Sequence, residues 1–335
     1  MRLRMSAAPS LVLAACLVSV PALTAQDVHV KVSPDSKGNT SSSDDFPTIQ
    51  MAMDHAPDPG PNGRLYLHIA PGTYKERVWV SRRRAHTTLL GTGSDPSQVV
   101  ISAARTGPTT GGTFFSESVE INGDDFQADN ITFENTAGNT GQAVAIAVSS
   151  DRAIFKHCRF LGDQDTLFAD FGRQYYVDSY IAGGVDFIFG NATAVFDKSE
   201  IHIFRPGYLT AQSRTTAEQT TGYVITNSKV TAENVEGKGF YLGRPWRAYS
   251  RVVFMHTELP ATLNPQGWQE WRSNAADLAK TFYAEFGNTG PGADTTHRPS
   301  WTHQLTAAQA KPFEPAAFLK GSDGWNPVAE AARLP

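Results

Sequence analysis

Hydrophobic positions fall into two patterns along this chain. Near its start, Ile49, Ala52, Met53 and Ala56 recur at the i, i+3, i+4, i+7 spacing of one helix face. Asp45 is placed to cap that helix and Pro47 fits its first turn, so the pattern predicts one short amphipathic helix over residues 45–56. From Arg64 onward the period drops to two, in the short runs Leu65 to Ile69, Val78-Trp79-Val80, Thr88-Leu89-Leu90 and Val99-Val100-Ile101. Gly, Pro and Asn punctuate these runs, which read as strands joined by turns. From Ala275 the chain becomes irregular, apart from a short helix after Thr306, where Thr306 and Gln309 form a capping-box pair.

A longer repeat lies over the strands. A unit with a polar start and an apolar end recurs at Asn130 to Phe133, His157 to Phe160, Asp178 to Ile181, Lys198 to Ile201, Asn227 to Val230 and His256 to Leu259. Between their last residues the steps are 27, 21, 20, 29 and 29. Steps that cluster in the twenties yet vary suit a parallel β-helix, whose turns accept insertions while its strands do not. A β-sandwich would show turn signals every ~8–12 residues and no longer period. The expected fold is therefore all-β, a single-stranded parallel β-helix, or solenoid. The N-terminal helix would cover the first coil and an irregular C-terminal tail would lie against the side or far end, since exposed edge strands need covering.

Composition narrows the class further. With 335 residues, 40% hydrophobic and 19% charged, the chain can build a sizeable core. Residues 1–25 carry Arg2 and Arg4, an apolar stretch from Leu11 to Leu23 and small residues at Ala22, Thr24 and Ala25, which reads as an export signal too short to span a bilayer. Leu13-Ala14-Ala15-Cys16 resembles a bacterial lipoprotein cleavage box, but the apolar run continues past Cys16, which favours a secreted, soluble protein made of residues 26–335. Losing the signal takes two arginines and no acid from a net charge of −4, leaving −6. No basic patch or helix marks a nucleic-acid partner, and Arg82-Arg83-Arg84 reads as a solvated loop. Cys158 is the one cysteine beyond the signal, so no intramolecular disulfide is expected and its thiol reads as buried and inert.

Candidate chemistry follows from the coil length. Residues one coil apart stack at the strand spacing of ~4.8 Å. Asp165 and Asp186 are 21 residues apart, and Gln142 and Gln164 are 22 apart, so one region of a sheet could present all four. In Val185-Asp186-Phe187-Ile188-Phe189, strict alternation turns the odd-numbered apolar residues inward, and Asp186 with Ile188 outward. Two carboxylates about 5 Å apart resist joint ionisation, so one would be ionised and nucleophilic and the other a protonated acid. Arg244 lies 15 residues before Leu259, as Asp186 lies 15 before Ile201, which puts them in one column two coils apart, near the limit of an arginine's reach. The glutamine amides could donate to a developing oxyanion, and Phe168, Phe189 and Trp246 form a surround suited to a sugar ring. Blander readings stand beside these: an Asp that caps turn amides, a structural salt bridge for Arg244, a core position for Trp246, an amide ladder for Gln142. No His-x-x-x-His or Glu-spaced pair suggests a metal, and no Gly-x-Ser-x-Gly suggests a serine hydrolase. Gly91-Thr92-Gly93 reads as a turn, not a nucleotide loop.

At these residues the sequence resembles the pectin methylesterases (pectinesterases). Gly72-Thr73-Tyr74-Lys75-Glu76, Gln142-Ala143-Val144-Ala145, Gly162-Asp163-Gln164-Asp165-Thr166-Leu167, Val185-Asp186-Phe187-Ile188-Phe189-Gly190 and Leu242-Gly243-Arg244-Pro245-Trp246 match five ordered family motifs. The resemblance implies a right-handed β-helix that hydrolyses methyl esters of galacturonate units in pectin, a cell-wall polysaccharide, with no cofactor and as a monomer. On the matching positions it implies Asp186 as nucleophile, Asp165 as acid and then base, and Gln142 and Gln164 as oxyanion donors. Arg244 would orient Asp186, and Thr113, Phe168, Val185, Phe189 and Trp246 would join Gln142 and Arg244 in contacting substrate. Gly184 stands where a threonine is common, Phe168 where a tyrosine often follows, and Ser179 where plant members often carry cysteine. These departures leave subsite preference open. Rival expectations are another esterase or acyl thioesterase on the same scaffold, or a non-catalytic polysaccharide-binding β-helix. A polygalacturonase or pectate lyase is disfavoured, since neither a second carboxylate set nor a calcium-binding acidic cluster stands out. The net charge of −6 favours the methylated over the demethylated polymer.

Overall fold

The computed structural model describes residues 26–38, 44–235, 237, 239–271 and 275–334. The expected export signal, with Cys16, lies outside the described residues. The chain winds as a parallel β-helix with three strand faces. The first face carries Val28–Val32, Leu65–Ile69, Thr87–Gly91, Gln127–Asp129, Ala153–Lys156, Arg173–Val177, Thr193–Asp197, Gly222–Thr226, Arg251–Met255 and Phe282–Phe286, all in parallel register. A second face runs through Gly72–Lys75, Val99–Ala103, Thr132–Asn135 and Arg159–Leu161. The third runs through Val78–Val80, Val119–Ile121, Ile146–Ser149 and Leu167–Phe171. The long strands Tyr180–Gly190 and Glu200–Gln212 bend from the second face into the third, with register shifts after Gly183 and Val185.

The sequence repeat is the corner between the first and second faces. Its first residues, Asn130, His157, Asp178, Lys198, Asn227 and His256, all adopt left-handed backbone, with φ of 60, 49, 49, 50, 49 and 50°. Such a residue turns the chain sharply without ending the strand ladder. The residue after each corner points inward and stacks on its neighbours. Ser179, Ser199 and Ser228 each donate to the carbonyl two residues back and accept the backbone N–H of Cys158, Ser179 and Ser199 in the preceding coil, at 3.1, 3.2 and 3.0 Å. This hydroxyl ladder satisfies buried amides that the corner removes from the sheet. Beside it, Phe155, Tyr176 and Phe196 stack at 4.9 and 4.7 Å along the solenoid interior. Cys158 is buried and free in that core, and burial raises its thiol far above the usual range.

Both ends are covered as expected, with corrections of detail. The helix is Ile49–His55 and its cap is Thr48, whose Oγ1 accepts from Met51 at 3.1 Å. Asp45, expected as the cap, lies instead in the two-residue strand Asp45–Phe46, and Pro47 precedes the helix. Ile49, Ala52 and Met53 are buried against the first coil, as the periodicity predicted. Arg84 is not a solvated loop residue. Its Nε donates to the carbonyl of Met53 at 2.6 Å and a terminal nitrogen to that of Ala56 at 2.8 Å, closing the helix C-terminus. The chain beyond Ala275 is less irregular than its pattern suggests, because Phe282–Phe286 adds another parallel strand. Thr306 and Gln309 do form a capping box on Ala307–Ala310. The last segment lies along the outside of the first face, where Leu319, Trp325 and Ala331 pack on Ile154, Tyr175, Val195, Val224 and Val253.

Candidate active site

On the third face, Gln142 pairs with Gln164, and Gln164 with Val185, in parallel register. Asp165 and Asp186 are the next residues of those two strands, and the Asp165 N–H donates to the carbonyl of Val185 at 3.1 Å. The 21-residue spacing is thus one coil, and the carboxylates start from adjacent strands ~4.8 Å apart. Both aspartates adopt left-handed backbone, with φ of 66 and 51°. That conformation is uncommon for a residue with a Cβ, and it recurs at positions held for function.

The expected alternation breaks after this left-handed turn. Phe187 and Ile188 both enter the solenoid core, whereas Phe189 faces out and packs with Phe168, Trp246 and Ala211. Ile188 is therefore not the outward neighbour of Asp186, and Phe189 is not inward. The alternation holds at Phe187 and is lost from Ile188 onward, a phase change that a period-two reading cannot register. Asp186 keeps its place outside the core while staying buried, at 4% exposure.

Arg244 reaches Asp186 from two coils away. Its Nε and a terminal nitrogen donate to the two carboxylate oxygens at 3.0 and 2.7 Å, a bidentate pair. The guanidinium is sandwiched between the rings of Tyr208 and Trp271, 3.9 and 4.1 Å from their centroids, which fixes its plane. Burial pushes Asp165 up to about 8, helped by the neighbouring charge of Asp186 and opposed by Arg244. Burial also raises Asp186, but there the hydrogen bonds and charge of Arg244 act directly against it. The proton of the pair therefore sits on Asp165 and the charge on Asp186.

A cavity of about 280 Å³ opens over this pair. Thr113, Gln142, Gln164, Asp165, Asp186, Phe189, Arg244 and Trp246 all line it, from strands and loops spread over 134 positions of chain. Two expected contacts do not line it. Phe168 stands at its edge, stacked on Phe189 at 4.7 Å and tilted on Phe114 at 5.0 Å. Val185 is half-buried in the strand beside it. Four lining or supporting residues were not foreseen: Phe114, Ala211, Trp271 and Tyr208. Tyr208 pairs in register with Val185, so the coil spacing could have found it; Trp271 sits in a loop and leaves no periodic signal.

Gly184, two residues before Asp186, is spanned by an ion pair. Arg205 Nε donates to Asp163 Oδ1 at 2.7 Å, and a terminal nitrogen of Arg205 also meets that oxygen. A Cβ at Gly184 would collide with Arg205 Nε and stand 2.7 Å from Asp163 Oδ1. A side chain at this position would have to displace the Arg205–Asp163 pair.

The chain resembles known proteins along most of its length. The family model described as Pectinesterase matches residues 32–322. Pectinesterase 31 of Arabidopsis thaliana is 38% identical over 87% of this chain and 92% of its own length. Probable pectinesterase/pectinesterase inhibitor 36 of the same plant is 40% identical over 79% of this chain, which spans only 53% of that relative. Among solved structures, pectin methylesterase from carrot superimposes with a TM-score of 0.83 at 35% identity, covering 91% of this chain and 96% of the carrot chain.

Proposed function

Because this chain belongs to the pectinesterase family, and so is a carboxylic ester hydrolase acting on the methyl esters of pectin, we propose that its chemistry runs through Asp186 and Asp165. One Asp186 oxygen adds to the ester carbonyl carbon, and the amides of Gln142 and Gln164 donate to the resulting oxyanion. Collapse breaks the bond to the methoxy oxygen, which leaves as methanol with the proton of Asp165. Asp165, now a carboxylate, takes a proton from water, whose oxygen attacks the acyl-enzyme. Asp186 departs with its electron pair and the free galacturonate is released. Arg244 keeps Asp186 ionised at the start and takes back its charge at the end. Thr113, Phe189 and Trp246 hold the reacting unit in the cavity, and Phe168 and Val185 stand beside it, where the chain leaves.

The observation that supports this reading is the bidentate Arg244–Asp186 pair one coil from a carboxyl held up to about 8. The test is methanol release from highly methylated pectin. Asp186→Asn should fold and release essentially none; near wild-type release would remove Asp186 as nucleophile. The same reading has the chain exported through residues 1–25 and acting as a monomer outside the cell. Among the described residues no helix is long and apolar enough to cross a membrane. A folded chain that kept residues 1–25, or sedimented as a dimer, would count against this part.

A further inference from the structure

The third face continues past the active site toward the N-terminal end, and its outward column ends on an exposed tryptophan. Trp79 pairs in register with Glu120, Glu120 with Ala147, Ala147 with Phe168 and Phe168 with Phe189. All five point away from the core, so Trp79 lies three coils from Phe168, about 14 Å at the usual strand spacing. It is 46% exposed, while Trp268 and Trp325 are buried and the three remaining tryptophans are half-buried.

The platform is held in place. Val78 and Val80 on either side are fully buried, which fixes the strand and turns Trp79 out. The Trp79 N–H donates to Gln50 Oε1 at 2.7 Å, so the helix that covers the first coil also occupies this edge. Glu76 in turn accepts the N–H groups of Ile49 and Gln50 at 2.9 and 3.0 Å, locking that helix. The edge amide is already used, and what this strand still offers is an aromatic face.

The charge beside it selects among uronate chains. Between Trp79 and the cavity stands Glu120, paired with Arg77 at 2.6 Å, and Arg77 also holds Glu117. Two carboxylates share one guanidinium, so the path carries excess negative charge. On the other side of Trp79, Asp54 and Asp58 face Arg83 and Arg84, and Arg84 is committed to helix carbonyls. The formal charges lining that hollow balance, so the excess beside Trp79 is the negative one on the cavity side. A methyl-esterified unit carries no charge to repel, and the C–H face of its ring can stack on an indole.

We propose that Trp79 is the stacking platform of a distal subsite that takes methyl-esterified galacturonate units of the polymer whose reacting unit is in the cavity. This inference rests on the ester-hydrolase reading and adds a binding site to it. The subsite would hold the chain on its methylated stretch, a few sugars from the reacting ester.

The experiment compares kcat/KM for methanol release on long, highly methylated pectin with that on a methyl-esterified oligogalacturonate too short to span from the cavity to Trp79. Trp79→Ala is expected to lower the ratio of the two roughly fivefold, through KM on the polymer, with Trp79→Phe restoring most of it. An unchanged ratio overturns the proposal. So does an equal loss on both substrates, which would mean disturbance of the fold or cavity. Sparsely methylated pectin should show a smaller Trp79→Ala effect; an equal or larger one overturns the preference for the ester. A change in sedimentation without a change in the ratio would assign the platform to a second copy of the chain instead. If the wild-type chain released no methanol from the polymer, the ester-hydrolase reading itself would fail, an outcome separate from all of these.

Discussion

Arg205 and Asp163 pair in the space that a side chain at position 184 would occupy. The contact joins the connection that leads into Asp165 to the strand Glu200–Gln212, which pairs with the strand that carries Asp186. Asp163 is 6% exposed, which makes the pair costly to break from either side.

This relationship predicts a coupled pair of substitutions. Gly184→Thr should destabilise by about 1–3 kcal/mol through overpacking and should reduce methanol release more than tenfold if the strain reaches Asp186. In an Arg205→Ala background, where the volume is vacant, the same substitution should cost less. Chemical denaturation of the four proteins of the cycle measures the coupling. Simple additivity would show that Arg205 is not what the glycine accommodates.

Activity should depend on pH through the dyad. Asp165 must hold its proton to serve as acid, so kcat/KM on methylated pectin should fall as pH rises past about 8. Asp186 must be ionised, and Arg244 is the group that opposes its upward shift. Arg244→Ala should therefore move the acidic limb of the profile to higher pH while lowering the maximum. An acidic limb that stays in place would detach Asp186 from that limb.

Stability should carry the opposite signature of the same proton. Asp165 binds its proton far more tightly folded, at about 8, than unfolded, near the ordinary carboxyl value of 3.8. Below about pH 4 both states are protonated and the group is neutral to stability; as pH rises to about 8 the unfolded chain gains by ionising, and folding is progressively penalised. Asp165→Asn should thus raise the melting temperature little at about pH 4 and increasingly toward about pH 8. A difference that is flat across this window would contradict the placement of the proton.

The hydroxyl ladder should be a stability element without a catalytic part. Ser199→Ala removes the acceptor of the Ser179 N–H, leaving a buried donor unpaired, and should cost about 1–3 kcal/mol. Its kcat/KM should stay within about twofold of wild type, since the ladder lies at the corner between the first and second faces. Loss of activity at full stability would point to a different role.

The repeat was legible in the sequence because a solenoid makes long-range neighbours out of a fixed step along the chain. That step alone brought Asp165 beside Asp186, Gln142 beside Gln164 and Arg244 within reach of Asp186, and the periodic pattern of Ile49, Ala52 and Met53 marked the covering helix. Motif resemblance supplied the roles that spacing left open. The tertiary structure decided the rest, for two physical reasons. Side-chain direction hangs on local backbone geometry: past the left-handed Asp186, Ile188 turns inward and Phe189 outward against the alternation. And contacts that depend on where a long side chain reaches leave no pattern: Trp271 on Arg244, the Arg84 cap on the helix, and Arg205, which lies one coil on from Gly184 but crosses over it only because it pairs with Asp163. The sequence by itself determined which carboxylates would meet; only the folded chain decided which holds the proton, because that depends on how deeply each is buried and on which one Arg244 touches.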